Sequence, residues 1–163
     1  MYVEPILHGV ENPLTEPCSL HSHAKSGGYV EAQEMDVEIL TDDDSFPPDS
    51  AIREWCRLGD EGAKNMGLQL RISSSQLKQW MEEAGFVDVT VVEFKLPLGA
   101  WPADKRLREA GSAEWLSMRD NLLGVTLRIW EKGLGRSYES LEVFLVKVRA
   151  EFDNKAVHPY FPL

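Results

Sequence analysis

His158 precedes Pro159 and Tyr160 near the end of the chain. An imidazole there has the basicity to accept a proton near neutral pH, so it is a candidate general base. A lone histidine on a connecting segment is more often structural, and both readings stay open. Cys18, His21 and His23 form a Cys-x-x-His-x-His run of zinc-ligand types, with His8 upstream. A closed zinc site needs a full tetrahedral set held by ordered elements, and this segment has no helix or strand pattern, so no metal site is expected. Asp42-Asp43-Asp44 concentrates negative charge. Three adjacent carboxylates cannot all converge on one ion, and no Gly or Glu follows at EF-hand spacing, so a solvated loop is expected. No Ser-His-Asp set, Walker loop or paired Cys-x-x-Cys is present. Cys18 and Cys56 are too few for a disulfide framework, and Cys56 is expected to pack on a helix face.

The elements that must position these groups are read from periodicity. Leu77, Trp80, Met81 and Ala84 form one apolar helical face, with Ser73 and Gln76 spaced as a capping box and Gly85 placed as a helix stop. Val87, Val89 and Val91 then alternate with Asp88 and Thr90 as a strand. The phase changes at Val91-Val92 and continues through Phe94 to Leu96, which predicts a bulge or sheet exit. Gly27-Gly28 opens a predicted short strand, Tyr29 to Glu34. After Phe46-Pro47-Pro48, Asp49 or Ser50 can cap a helix carrying Ile52, Trp55, Cys56, Ala63 and Met66, which Gly59 and Gly62 should each weaken by about 1 kcal/mol. Leu96 to Pro102 reads as a rigid extended connection, Asp104 to Ala110 as a short charged helix, and Trp115 to Leu134 as a wide apolar arc. Ser137 caps a last helix with the stripe Leu141, Phe144, Leu145, Val148 and Phe152. His158 to Leu163 is extended.

At 163 residues the chain is sized for one domain, with residues 1–26 read as an irregular tail outside the folded core and 27–163 as the domain. The net charge of −10 falls almost wholly before Lys64 and disfavours direct nucleic-acid binding. No apolar run approaches the ~20 residues of a membrane span, so no membrane partner is expected. Without a signal-peptide pattern, the expected setting is intracellular, cytoplasmic or nuclear.

Several segments in order carry a family resemblance. Gly27-Gly28-Tyr29-Val30-Glu31-Ala32-Gln33-Glu34 resembles the turn and fifth strand of class I S-adenosylmethionine-dependent methyltransferases, with Ser26 where a proline is usual. Leu77 to Val91 resembles their next helix and strand. Phe46-Pro47-Pro48-Asp49-Ser50, Leu96 to Lys105, and His158-Pro159-Tyr160-Phe161-Pro162 are similar to connections in the fungal LaeA-like members of that family.

The resemblance implies an α/β fold, here the incomplete edge of a Rossmann-like class I methyltransferase sheet with several added helices. It implies S-adenosylmethionine as cofactor and an unidentified methyl acceptor. It nominates Gln33, Glu34 and Asp36, just past the fifth strand, as substrate-facing, with Trp101, His158 and Tyr160 near the substrate mouth. Solvent-facing polar residues and loop-packing aromatics are the plainer alternatives. The glycine-rich cofactor loop of the family has no counterpart here. The only Gly-x-Gly, Gly133-Leu134-Gly135, follows a helical pattern and reads as a helix-ending turn. The family also expects a final strand after Phe161-Pro162, lying antiparallel between the strands matched by Tyr29–Glu34 and Val87–Phe94. Leu163 would be its beginning. The chain therefore reads as the C-terminal, substrate-side part of a methyltransferase, inactive alone and lacking cofactor-binding residues. The alternative is a non-catalytic helical protein-interaction module that associates with a partner or itself through Trp115–Leu134 and unpaired strands.

Overall fold

A computed structural model describes residues 25–47 and 49–163. The elements are α1 (Ala51–Asn65), α2 (Ser74–Glu83), β1 (Lys95–Pro97), α3 (Lys105–Arg128), a π-helical turn (Ile129–Gly133), α4 (Tyr138–Phe152) and β2 (Tyr160–Pro162). The 1–26 tail expected from the sequence, with Cys18, His21, His23 and His8, lies outside the described residues apart from its last two positions.

Serine and aspartate hydroxyl or carboxylate oxygens start the helices. Ser50, Ser73, Asp104 and Ser137 each accept a backbone N–H three residues on, from Arg53, Gln76, Leu107 and Ser140. Gly85, at φ 102°, ends α2. Its N–H donates to Glu82 O and the Phe86 N–H to Met81 O, a complete Schellman motif. Gly67 ends α1 in the same way, its N–H donating to Lys64 O and that of Leu68 to Ala63 O. The carboxylate of Glu151, near the end of α4, adds a second cap to α1. It accepts from Ser50 Oγ at 2.5 Å and from the Ala51 N–H at 2.6 Å. The positive end of the helix dipole favours an anion there.

The core forms where α1, α3, the π turn and α4 meet. Ile52, Leu58, Leu122, Trp130, Leu141, Leu145 and Val148 are buried, and Phe161 joins them from β2. Gly62 and Gly133 set the closest approach. A Cβ at Gly133 would lie 2.2 Å from the Gly62 carbonyl oxygen. The indoles keep their N–H groups satisfied inside this core: Trp55 donates to Thr126 Oγ1, Trp115 to Phe152 O, and Trp130 to Ser140 Oγ. Ile72, Leu77 and Trp80 form a separate small cluster under α2.

The sheet differs from the sequence expectation. The predicted strand Val87–Phe94 is not a strand: Lys95–Pro97 forms β1, antiparallel to Tyr160–Pro162 with Leu96 opposite Phe161, and of the predicted run only Phe94 pairs. Asp88 sits at φ 55° and breaks the extended run. Alternating valines supply strand propensity, but a strand is stable only against a neighbour. Tyr29–Glu34 likewise forms no strand after its Gly27-Gly28 turn. The first pairing on that side is an antiparallel bridge between Leu40 and Tyr160. The chain end thus lies between two flanking segments. Leu40 exchanges both backbone hydrogen bonds with Tyr160, and Phe94 exchanges both with Leu163.

One further expectation is corrected. Asp104–Ala110 is not a separate helix, because α3 runs unbroken from Lys105 to Arg128. Gly111 within it lets the helix press on β1, and a Cβ there would lie 2.4 Å from Gly99 O. Along the apolar arc Trp115–Leu134, Leu122, Thr126 and Trp130 are buried in the core, while Leu116 and Val125 stay about half exposed.

Candidate functional site

The acidic loop after Leu40 meets the C-terminal connection and the loop before α3. Asp43 closes a local turn, accepting the Ser45 N–H at 3.1 Å, while Thr41 Oγ1 donates to Asp43 O. Ser45 Oγ then accepts the His158 N–H at 3.1 Å, tying the acidic loop to the chain end. His158 Nδ1 lies 2.7 Å from Asp43 Oδ2. Asp43 is held down to about 2 by hydrogen bonding from Ser45 first and His158 second. A carboxylate in that state only accepts, so Nδ1 carries the proton and Nε2 is the imidazole's basic atom.

Beside this pair, Asp42 takes Lys95 Nζ at 2.6 Å and the Tyr160 hydroxyl at 2.9 Å. Lys95 first and Tyr160 second lower the Asp42 pKa, and Asp42 in turn raises that of Lys95. Burial, and then the Asp42 contact, pushes the Tyr160 hydroxyl up. Lys95 Nζ also stands 4.8 Å over the Tyr160 ring. Trp101 closes the group, its ring centroid 5.5 Å from that of His158 and its Nε1 donating to Pro159 O. The cluster can hold a proton at His158 Nε2 beside an aromatic wall. Its remaining charges are matched internally.

Among the six residues nominated from the sequence, the structure brings Trp101, His158 and Tyr160 together. The other three lie on the segment leading to Leu40. Asp36 donates its N–H to Pro162 O and faces Arg71 at 3.5 Å. Gln33 donates to Glu31, and Glu34 is half-buried on the same run. The sequence reading did not nominate Asp42, Asp43, Ser45 or Lys95; the acidic run is exposed, as expected of a solvated loop, yet Asp42 and Asp43 also bind distant partners. The only available signal was the presence of that run itself, since its partners lie far along the chain.

Cys56 packs against the core as expected, and desolvation pushes its thiol up to about 11, away from nucleophilic use. Among the described residues, no group of three or more His, Cys, Asp or Glu is placed to hold a metal ion. No helix of the described residues is long and apolar enough to cross a membrane.

Among the described residues, the one Gly-x-Gly run does not form a cradle for S-adenosylmethionine. Gly133-Leu134-Gly135 ends the π turn, as read from the sequence, and the space beside Gly133 is filled by Gly62 backbone rather than open to a ligand.

Methyltransferase pytC of Aspergillus terreus is 29% identical to this chain over 141 residues, covering 86% of the chain and 43% of pytC. Secondary metabolism regulator LAE1 of Hypocrea atroviridis is 30% identical over 146 residues, 88% of the chain and 41% of its own length. Protein-methionine methyltransferase laeA of Chaetomium globosum is 27% identical over 133 residues, 82% of the chain and 42% of its own. The chain thus spans about two-fifths of the length of these relatives. No protein-family model and no solved structure matches it.

Proposed function

We propose, from the premise that this chain is a relative of the fungal LaeA-like methyltransferases, that it forms the acceptor side of an S-adenosylmethionine-dependent methyltransferase and does not hold the cofactor alone. The observation that supports this reading is the placement of Tyr160–Pro162 antiparallel between Leu40 and Lys95–Pro97, next to where the resemblance expects a strand after Phe161-Pro162 between Tyr29–Glu34 and Val87–Phe94. S-adenosylmethionine supplies the methyl group in such enzymes, and the acceptor is unidentified. On this side of the reaction the chain offers His158 Nε2 as a proton acceptor, oriented by Asp43, with Trp101 and Tyr160 as walls. Gln33, Glu34 and Asp36 lie toward the other end of the same strand, where the Asp36 N–H donates to Pro162 O, and are kept as further substrate-facing candidates. A cytoplasmic or nuclear setting accompanies this reading.

Calorimetric titration of the 163-residue chain with S-adenosylmethionine tests the cofactor half of the proposal. The expected result is no saturable heat; a one-to-one isotherm in the micromolar range overturns it. The second reading, a non-catalytic interaction module, draws on the Trp115–Leu134 segment only where Leu116 and Val125 stay exposed. It keeps the exposed edge before β1.

A further inference from the structure

The cluster around His158 satisfies its polar groups internally and leaves one acceptor open. Asp43 accepts from Ser45 and faces His158 Nδ1, while Asp42 takes both Lys95 and the Tyr160 hydroxyl. Tyr160 is only 8% exposed, so its hydroxyl is closed to a ligand. The Trp101 N–H is committed to Pro159 O, and this 38% exposed residue therefore presents apolar ring surface. Among the described residues no hydrogen bond reaches His158 Nε2, and the His158 side chain is 41% exposed.

A single acceptor beside an aromatic wall restricts what can bind. With its proton on Nδ1, the imidazole offers a lone pair at Nε2 and no hydrogen. A thioether, an ether or a carboxylate has no hydrogen to give it. Charge narrows the choice further. Lys95 offsets Asp42, and Asp43 and Asp44 leave the loop negative, so an anionic ligand is repelled. An ammonium brings three donors to one free acceptor and loses hydration at the ring face. A neutral aromatic hydroxyl has one donor for Nε2, a flat face for Trp101 and no charge.

We propose that His158 Nε2 and the Trp101 ring form a binding site for a neutral aromatic hydroxyl compound, its O–H donating to Nε2 and its ring packing on Trp101. This rests on the acceptor-side reading above and names the chemical class of the acceptor. The site also gives the hydroxyl proton a destination. The O–H electron pair stays on oxygen, the proton forms the Nε2–H bond, and the Asp43 carboxylate faces the resulting imidazolium.

The test uses the whole 163-residue chain, without cofactor, in mildly alkaline buffer that keeps an imidazole neutral. The probes share one ring system: naphthol, its methyl ether, naphthoate and naphthylmethylammonium. Long-range proton–nitrogen NMR of the imidazoles reads binding at His158, whose signals are assigned by their loss in His158→Phe. Naphthol is expected to saturate, to shift the His158 Nε2 resonance, and to bind about 5-fold more tightly than each other probe, the size of one net hydrogen bond. His158→Phe keeps a ring beside Trp101 and should make naphthol and its methyl ether equal. Trp101→Leu should weaken both alike and keep the preference for naphthol. If His158→Phe does not fold, the Nε2 shift and the naphthol-to-ether ratio of the unaltered chain decide. Absence of saturable binding, equal affinity for naphthol and its ether, tighter binding of naphthoate or the ammonium, or an unmoved Nε2 resonance each overturns the proposal. Such a failure strikes the acceptor class, whereas the methyltransferase reading answers to the separate cofactor titration.

Discussion

Asp43 gains its low pKa from two partners at different sequence distances, Ser45 two residues on and His158 far beyond. A carboxyl whose folded pKa is depressed adds stability above its unfolded value and loses it as the pH falls. The Asp43 contribution is therefore complete above about pH 4 and is lost on the way down to about pH 2. Asp43→Asn should flatten that part of the acid limb, read from urea midpoints measured across the pH range, and leave the neutral region with a smaller change. At this scale the sequence was legible where partners are near neighbours. The caps Ser50, Ser73 and Ser137 could be read directly because each acts within three residues. The Asp43–His158 pair could not, because its partners are 115 positions apart and nothing in either segment encodes the approach.

Glycines show how an element's neighbours reverse a local preference. Sequence reasoning treats Gly59 and Gly62 alike, as weak points in α1. In the structure nothing lies within 4 Å of a Cβ added at Gly59, whereas one at Gly62 would lie 2.6 Å from the Ile129 side chain. Gly59→Ala is expected to stabilise by up to ~1 kcal/mol through helix propensity. Gly133→Ala places its methyl against Gly62 backbone, which cannot yield, and should destabilise by about 3 kcal/mol. Paired chemical denaturation curves for the two variants check both signs. The same physics leaves Val87–Phe94 without a strand. Its alternation supplies β propensity, but among the described residues no segment pairs with Val87–Glu93, and Asp88 at φ 55° breaks the extended run.

For the molecule as a whole, the chain end is structurally central. Phe161 is fully buried, and its strand is flanked by Leu40 on one side and Leu96 on the other. Phe161→Ala should cost about 3–5 kcal/mol in unfolding free energy. Leu163→Ala, at a position 42% exposed, should change the same measurement by less than ~1 kcal/mol. Reversal of that order would show that the C-terminal segment lies on the fold rather than in it.

The sequence by itself determined most of the helices, their caps and stops, the turn at Gly27-Gly28, and similarity to the LaeA-like methyltransferases. These are carried by periodicity, by capping contacts within a few residues and by the order of motifs along the chain. Only the tertiary structure decided which extended segments pair, that Asp104 to Arg128 is one helix with its cap, and that the acidic loop grips His158 and Tyr160. It also decided that Gly62 and Gly133 are contact points rather than flaws. The physical reason is common to all four. Each depends on two stretches of chain brought together by core packing, and neither stretch alone carries the energy of the contact.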